Sequence, residues 1–126
     1  MRAQISIEFM VFVGLTLVIA IAFGLSSAGQ LNEFREKKES DAVKDLALKM
    51  QRELLIASHV EDGYFRQFEL PNQAGGKNYT ITSTNTGLSI ESENGYYFVF
   101  IPSIDGNLTN GTNRINKTSG VIHVNK

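Results

Sequence analysis

The stretch "QISIEFMVFVGLTLVIAIAFG", residues 4–24, decides how the whole chain is read. It is apolar on every side of a helix and carries a single carboxylate, Glu8, near its start. From Phe9 to Ala28 there is no charged residue. At about 1.5 Å per residue such a run makes a helix of roughly 30 Å, enough to span a bilayer. A carboxylate buried beside lipid or packed helices is costly unless a cation meets it, so Glu8 calls for a partner that the nearby sequence does not supply. The apolar region of a secretory signal is about 7–15 residues long, and this one is longer, although "SSAG" at 26–29 offers the small residues of a cleavage site. A plain single-span anchor accounts for the length but leaves Glu8 unexplained. Arg2 before the run places the amino terminus in the cytoplasm and the remainder outside.

The helical pattern continues past the apolar run. "LNEFREKKESDAVKDLALKMQRELLIASHV", residues 31–60, lacks proline and glycine and is rich in strong helix formers. Val43, Leu46, Ala47, Met50, Leu54 and Ala57 follow the three-and-four spacing of a buried stripe. Opposite charges stand four apart at Glu33 and Lys37, Arg35 and Glu39, Asp45 and Lys49, and Lys49 and Glu53, which predicts an exposed, ion-paired face. Gly63 is the stop signal. The expected helix is therefore 4–62, a stem over 4–30 and an amphipathic half over 31–62, about 85 Å in all at that rise. Gly14, Gly24 and Gly29 allow neighbouring helices to approach, and Phe12, Phe23 and Phe34 recur every eleven residues along one edge.

After Gly63 the period changes to that of strands. Residues 64–70, 78–84, 87–92, 96–101 and 120–124 are β-branched or aromatic and are separated by Gly, Asn, Asp and Pro. Asn94-Gly95 reads as a hairpin turn, and "PNQAGGK" (71–77) and "IDGNLTNGTN" (104–113) as longer surface loops. Tyr79, Ile81, Leu88, Ile90, Tyr97, Val99 and Ile101 alternate toward one face. That face fits the stripe on the helix, so the predicted fold class is α+β, with a small antiparallel sheet over 63–126 packed on the amphipathic half.

Composition narrows the function. The 126 residues carry 12 basic and 13 acidic side chains, a net charge of −1, which argues against a nucleic-acid partner. There is no cysteine, and His59 and His123 have no companion at metal-ligand or triad spacing, so no metal, cofactor or enzymatic centre is expected. Four N-x-Thr sequons, at Asn78, Asn107, Asn110 and Asn116, exceed the one or two that the composition predicts by chance. Modified asparagines must face solvent on the outer side of the membrane, in agreement with the topology read from Arg2.

Gln4-Ile5-Ser6-Ile7-Glu8-Phe9, set directly before the uncharged stretch, resembles the class III signal of archaeal type IV pilins, Q-x-S-x-E-F. The resemblance covers the leader and the long helix; the sheet region is similar to such pilins in size, strand content and sequons. It implies that residues 1–3 are a leader and that a prepilin peptidase cuts between Ala3 and Gln4. Glu8 then becomes the fifth residue of the mature chain, the position that meets the terminal amine of an adjacent subunit. Gln4, Glu8 and Phe9 are the implied assembly residues. Loss of Arg2 changes the side-chain charge from −1 to −2 and removes the cytoplasmic basic anchor. The implied partners are copies of the same chain, the peptidase and the assembly machinery, with the membrane as host before assembly. The competing reading is a monomeric, single-span surface binding protein whose "NLTNGTNRINKT" region (107–118) touches a ligand or another cell.

Overall fold

The computed structural model describes residues 2–126, with side chains described from Ser6 onward. One helix, α1 (Arg2–His59), is followed by seven strands: β1 (Phe65–Leu70), β2 (Tyr79–Ser83), β3 (Gly87–Ser92), β4 (Gly95–Phe100), β5 (Ile104–Gly106), β6 (Gly111–Thr118) and β7 (Val121–Val124). The fold class is α+β. The chain divides into two units, Met1–Arg35 and Glu36–Lys126, and α1 contributes to both. The helix ends at His59, four residues before Gly63.

Within the second unit the strands form two sheets rather than one. Strands β2, β3 and β4 make a three-stranded antiparallel sheet, and the other four are ordered β1-β6-β7-β5, with the β5–β7 pair parallel. Two elements depart from the expected loop at 104–113, which here contains β5 and the start of β6. β6 reads as a polar loop because its inward positions are Asn113 and Ile115, and only the second is apolar. Asn113 is fully buried yet satisfied. Its Oδ1 accepts from Thr109 N at 2.9 Å, and its Nδ2 donates to Thr109 O at 2.6 Å and Gly111 O at 3.1 Å. A buried amide with all of its partners in hand occupies a core position without loss, which hydrophobic patterning cannot register.

The helix stripe behaves as its spacing predicts. Val43, Leu46, Ala47, Met50, Leu54 and Ala57 are all buried, in one core with Leu88, Ile90, Val99, Ile101, Ile115 and Val124 from both sheets. The alternation of the three-stranded sheet also holds, with Tyr79, Leu88, Ile90, Val99 and Ile101 buried and Ile81 and Tyr97 packed at the margin of the core. The hairpin turn, by contrast, falls one residue earlier than Asn94-Gly95. Ser92 pairs with Gly95, so Glu93 and Asn94 form the two-residue loop. Gly95 is used for close approach, since a Cβ there would lie 3.1 Å from Val43 Cγ2. The hairpin with left-handed residues at both loop positions is Ser119-Gly120, φ 51° and 76°, between β6 and β7.

None of the four expected i, i+4 helix ion pairs closes among the described residues. Three of their members bond to tertiary partners instead: Glu53 pairs with Arg66 of β1 at 2.6 Å, Lys49 donates to Glu69 O at 3.0 Å, and Glu39 bonds to the β3–β4 hairpin. Glu39 is 4% exposed and accepts from Ser92 Oγ at 2.8 Å and Asn94 Nδ2 at 3.0 Å, which fixes the β3–β4 hairpin to the helix. Burial opposes ionisation of this carboxyl, but the hydrogen bonds from Ser92 and Asn94, together with the charge of Lys77, hold it below its ordinary value of 4.5.

A depressed carboxylate contributes stability that is complete above the unfolded pKa and is lost as pH falls through the lower folded value. The melting temperature of the wild type is therefore expected to fall as pH drops below about 4.5. Glu39→Gln starts lower and shows a flatter acid limb, by up to about one proton per molecule. Parallel acid limbs in a thermal-melt series from neutral to acidic pH would show that Glu39 does not carry this pH dependence.

Candidate functional site

The site is the surface of the first unit. α1 is long and apolar enough to cross a membrane, lies near the amino terminus, and has none of its apolar window buried in the fold. Ile7, Phe9, Met10, Val11, Phe12, Val13 and Leu15 are all exposed, and the exposure continues through Phe23 and Leu25 to Phe34. Phe12, Phe23 and Phe34, the eleven-residue repeat, are 74%, 76% and 69% exposed. A Cβ added at Gly14, Gly24 or Gly29 would meet nothing within 4 Å, so the helix surface is open at these three positions. Apolar surface on this scale is stable only in lipid or against other apolar chains.

The polar side chains within this run do not disturb it. Thr16 donates to Phe12 O at 2.8 Å, and Ser26 and Ser27 donate to Ala22 O and Phe23 O at 3.0 Å. Each hydroxyl is satisfied by its own helix, as a low-dielectric environment demands. Glu8 differs. It is exposed, and no hydrogen-bond or ion-pair partner for it exists among the described residues. Phe9 beside it is 69% exposed. The expected processing point, Ala3 and Gln4, and the assembly role of Gln4 lie outside the residues whose side chains are described.

The four sequon asparagines are all exposed. Asn78 accepts a long contact from Gln73 Nε2, 3.4 Å, and Asn107 Oδ1 accepts from Ser83 Oγ at 2.9 Å. Asn116 lies on the outer face of β6, between Phe65 of β1 and His123 of β7. His123 Nδ1 is 3.1 Å from Asp105 Oδ2. Hydrogen bonds from Lys126 and then His123 hold the Asp105 carboxyl below its usual range. His59 sits in the last turn of α1 with its Nδ1 2.8 Å from Leu55 O. Among the described residues no group of three or more His, Cys, Asp or Glu is placed to hold a metal ion.

Sequence reasoning missed Glu39, Asn113 and Asn125 as organising residues. Asn125 Nδ2 donates to Asn107 O at 2.8 Å and to Asn113 Oδ1 at 2.9 Å, so two amides support the segment that carries Asn107 and Asn110. The partners of Glu39 and Asn125 come from other elements, and Asn113 is held mainly by its own neighbours Thr109 and Gly111, an arrangement that hydrophobic patterning does not register. A further row, Tyr96, Phe98 and Phe100, points outward from β4, with the Phe98 and Phe100 rings edge-to-face at 5.1 Å. Its outward direction follows from the inward alternation of Tyr97 and Val99.

Comparison with protein-family models, curated proteins and solved structures returns no match for this chain.

Proposed function

We propose that the chain is a structural subunit of an archaeal type IV pilus, which polymerises through its amino-terminal helix into a filament for surface attachment. The observation that carries this reading is an uncovered apolar stem that opens on a single carboxylate, unpartnered among the described residues and set within the Gln4–Phe9 signal pattern. A membrane anchor needs the apolar stem alone; Glu8 is costly in it. A polymer of stems needs both. Cleavage between Ala3 and Gln4 creates an ammonium at Gln4, and the Glu8 carboxylate of one subunit then meets the amine of its neighbour in a bundle where water is scarce. Before cutting, the membrane solvates the stem. After loss of Arg2 the stem leaves lipid and packs on identical stems, where small residues permit close contact.

In this reading the second unit faces the medium, and Asn78, Asn107, Asn110 and Asn116 carry sugars. The peptidase and the assembly machinery act on the first unit only. No catalytic role is assigned to any residue.

Filaments purified from cells that express the chain are expected to yield an amino-terminal sequence starting at Gln4. A chain that still starts at Met1 in intact filaments would refute the ammonium mechanism. Membranes that hold only separate, single-span copies, with no filaments in negative stain, would favour the monomeric surface binding protein.

A further inference from the structure

We propose that a glycan on Asn116 lies against the ring of Phe65 and is thereby fastened to the outer face of the four-stranded sheet. The inference rests on the sugar-bearing reading of the sequons and assigns a specific contact to one of them. Asn116 is set apart from the other three. Asn78, Asn107 and Asn110 lie between strands, whereas Asn116 lies inside β6 and is held on both sides by strand pairing.

The register defines the geometry. Phe65 is the direct partner of Asn116 across the β1–β6 pair. Lys117 N donates to Tyr64 O at 3.0 Å and Lys117 O accepts from Gly63 N at 2.9 Å, so both backbone groups of Lys117 point toward the β1 side and those of Asn116 point away from it. Rungs alternate in an antiparallel ladder, which makes Phe65 and Asn116 a non-hydrogen-bonded pair. In such a pair the side chains lie closest, with Cβ atoms about 4.5–5.5 Å apart on the same face.

Phe65 is 63% exposed, and its strand neighbours Phe68 and Leu70 turn inward while it turns out. An exposed aromatic ring beside an exposed sequon amide offers an apolar seat at the distance of the first sugar. On the other flank Asn116 meets His123, whose ring is engaged by Asp105. The apolar ring directly opposite Asn116 is therefore that of Phe65, with Val121 diagonal on the other flank. The C–H face of a pyranose laid on the ring removes apolar surface of both from water. Because strand pairing already fixes the backbone at both positions, ordering the first sugar there costs only side-chain and sugar freedom.

Attachment forms a bond from Asn116 Nδ2 to the anomeric carbon of a phosphate-activated sugar donor. The anomeric C–O bond breaks, the phosphate leaves with the electron pair, and the amide proton is lost to base. Thr118 supplies the hydroxyl position of the sequon and is exposed on the same face.

The test uses the full chain, produced in a host with N-linked glycosylation and purified in detergent. Intact mass reads occupancy and thermal unfolding reads stability. Glycosylated wild type is expected to melt about 2–6 °C above Asn116→Gln and above Thr118→Ala, which removes the sequon but keeps the asparagine. In a Phe65→Ala background that gap closes, and Phe65→Tyr restores it. Asn110→Gln, which removes a loop sugar, leaves the gap in place. An occupied Asn116 whose gap is the same in the wild-type and Phe65→Ala backgrounds overturns this contact alone. An unmodified Asn116 overturns the contact and the sugar-bearing reading of that site together.

Discussion

Replacing Glu8 by glutamine is expected to leave the protein in the membrane and to reduce filament yield at least about a hundredfold, the scale of breaking a buried ion pair by removal of one partner. The substitution keeps size and polarity and removes only the charge, so insertion, which depends on the uncharged run from Phe9 onward, is unaffected. On the proposed pilin reading, what fails is the meeting of stems. In a filament the ammonium at Gln4 of one subunit would be left in a water-poor bundle without an anion, and an unpaired buried charge costs far more than the pair gains. Alkaline extraction of membranes tests the first half, and negative-stain counts of filaments test the second. Normal filament numbers from Glu8→Gln would remove the carboxylate from the mechanism. Loss of the protein from the membrane would show that Glu8 acts in insertion.

The second large effect is confined to the other unit. Met50 is fully buried at the centre of the helix stripe, in the core that both sheets share. Met50→Ala removes its contacts and leaves a cavity, at about 2–5 kcal/mol. For a unit of this size that corresponds to a fall in melting temperature on the order of 10–30 °C. Phe12→Ala deletes a larger apolar side chain, but that ring is 74% exposed and contributes no core contact, so stability is expected to change by less than about 0.5 kcal/mol. Thermal unfolding followed by circular dichroism in detergent checks both. Equal loss in the two variants would mean that the stem shares the stabilising core of the second unit.

The contrast between these two residues explains how much of the molecule was legible in the sequence. Period and composition are local properties, and they identified the uncharged stem, the stripe from Val43 to Ala57, and the inward alternation of β2, β3 and β4. They succeeded because each of these elements buries, or leaves uncovered, one uniform apolar surface. Glu39 was less legible. Its spacing from Arg35 promises a surface ion pair, yet it is buried and serves the β3–β4 hairpin, because a carboxylate that accepts several hydrogen bonds from a tertiary neighbour outweighs one weak exposed pair.

The same hydrogen bonds accompany the shifted turn, where Asn94 N and Nδ2 donate to Glu39, whereas β6 is masked by its own composition. Asn113 and Ile115 alternate with polar outward residues, so the strand carries only one apolar signal. Its inward amide is satisfied by Thr109 and Gly111, close by in sequence, and by Asn125. The sequence alone determined that there is a membrane-length helix bearing one early carboxylate, an amphipathic continuation and a strand-rich remainder, since these follow from side-chain chemistry at fixed periods. Only the tertiary structure decided that the strands form two sheets, that Glu39, Lys49 and Glu53 bond across to strands and not along the helix, and that Asn116 stands opposite Phe65. Those outcomes depend on partners distant in the chain, whose approach no local period encodes.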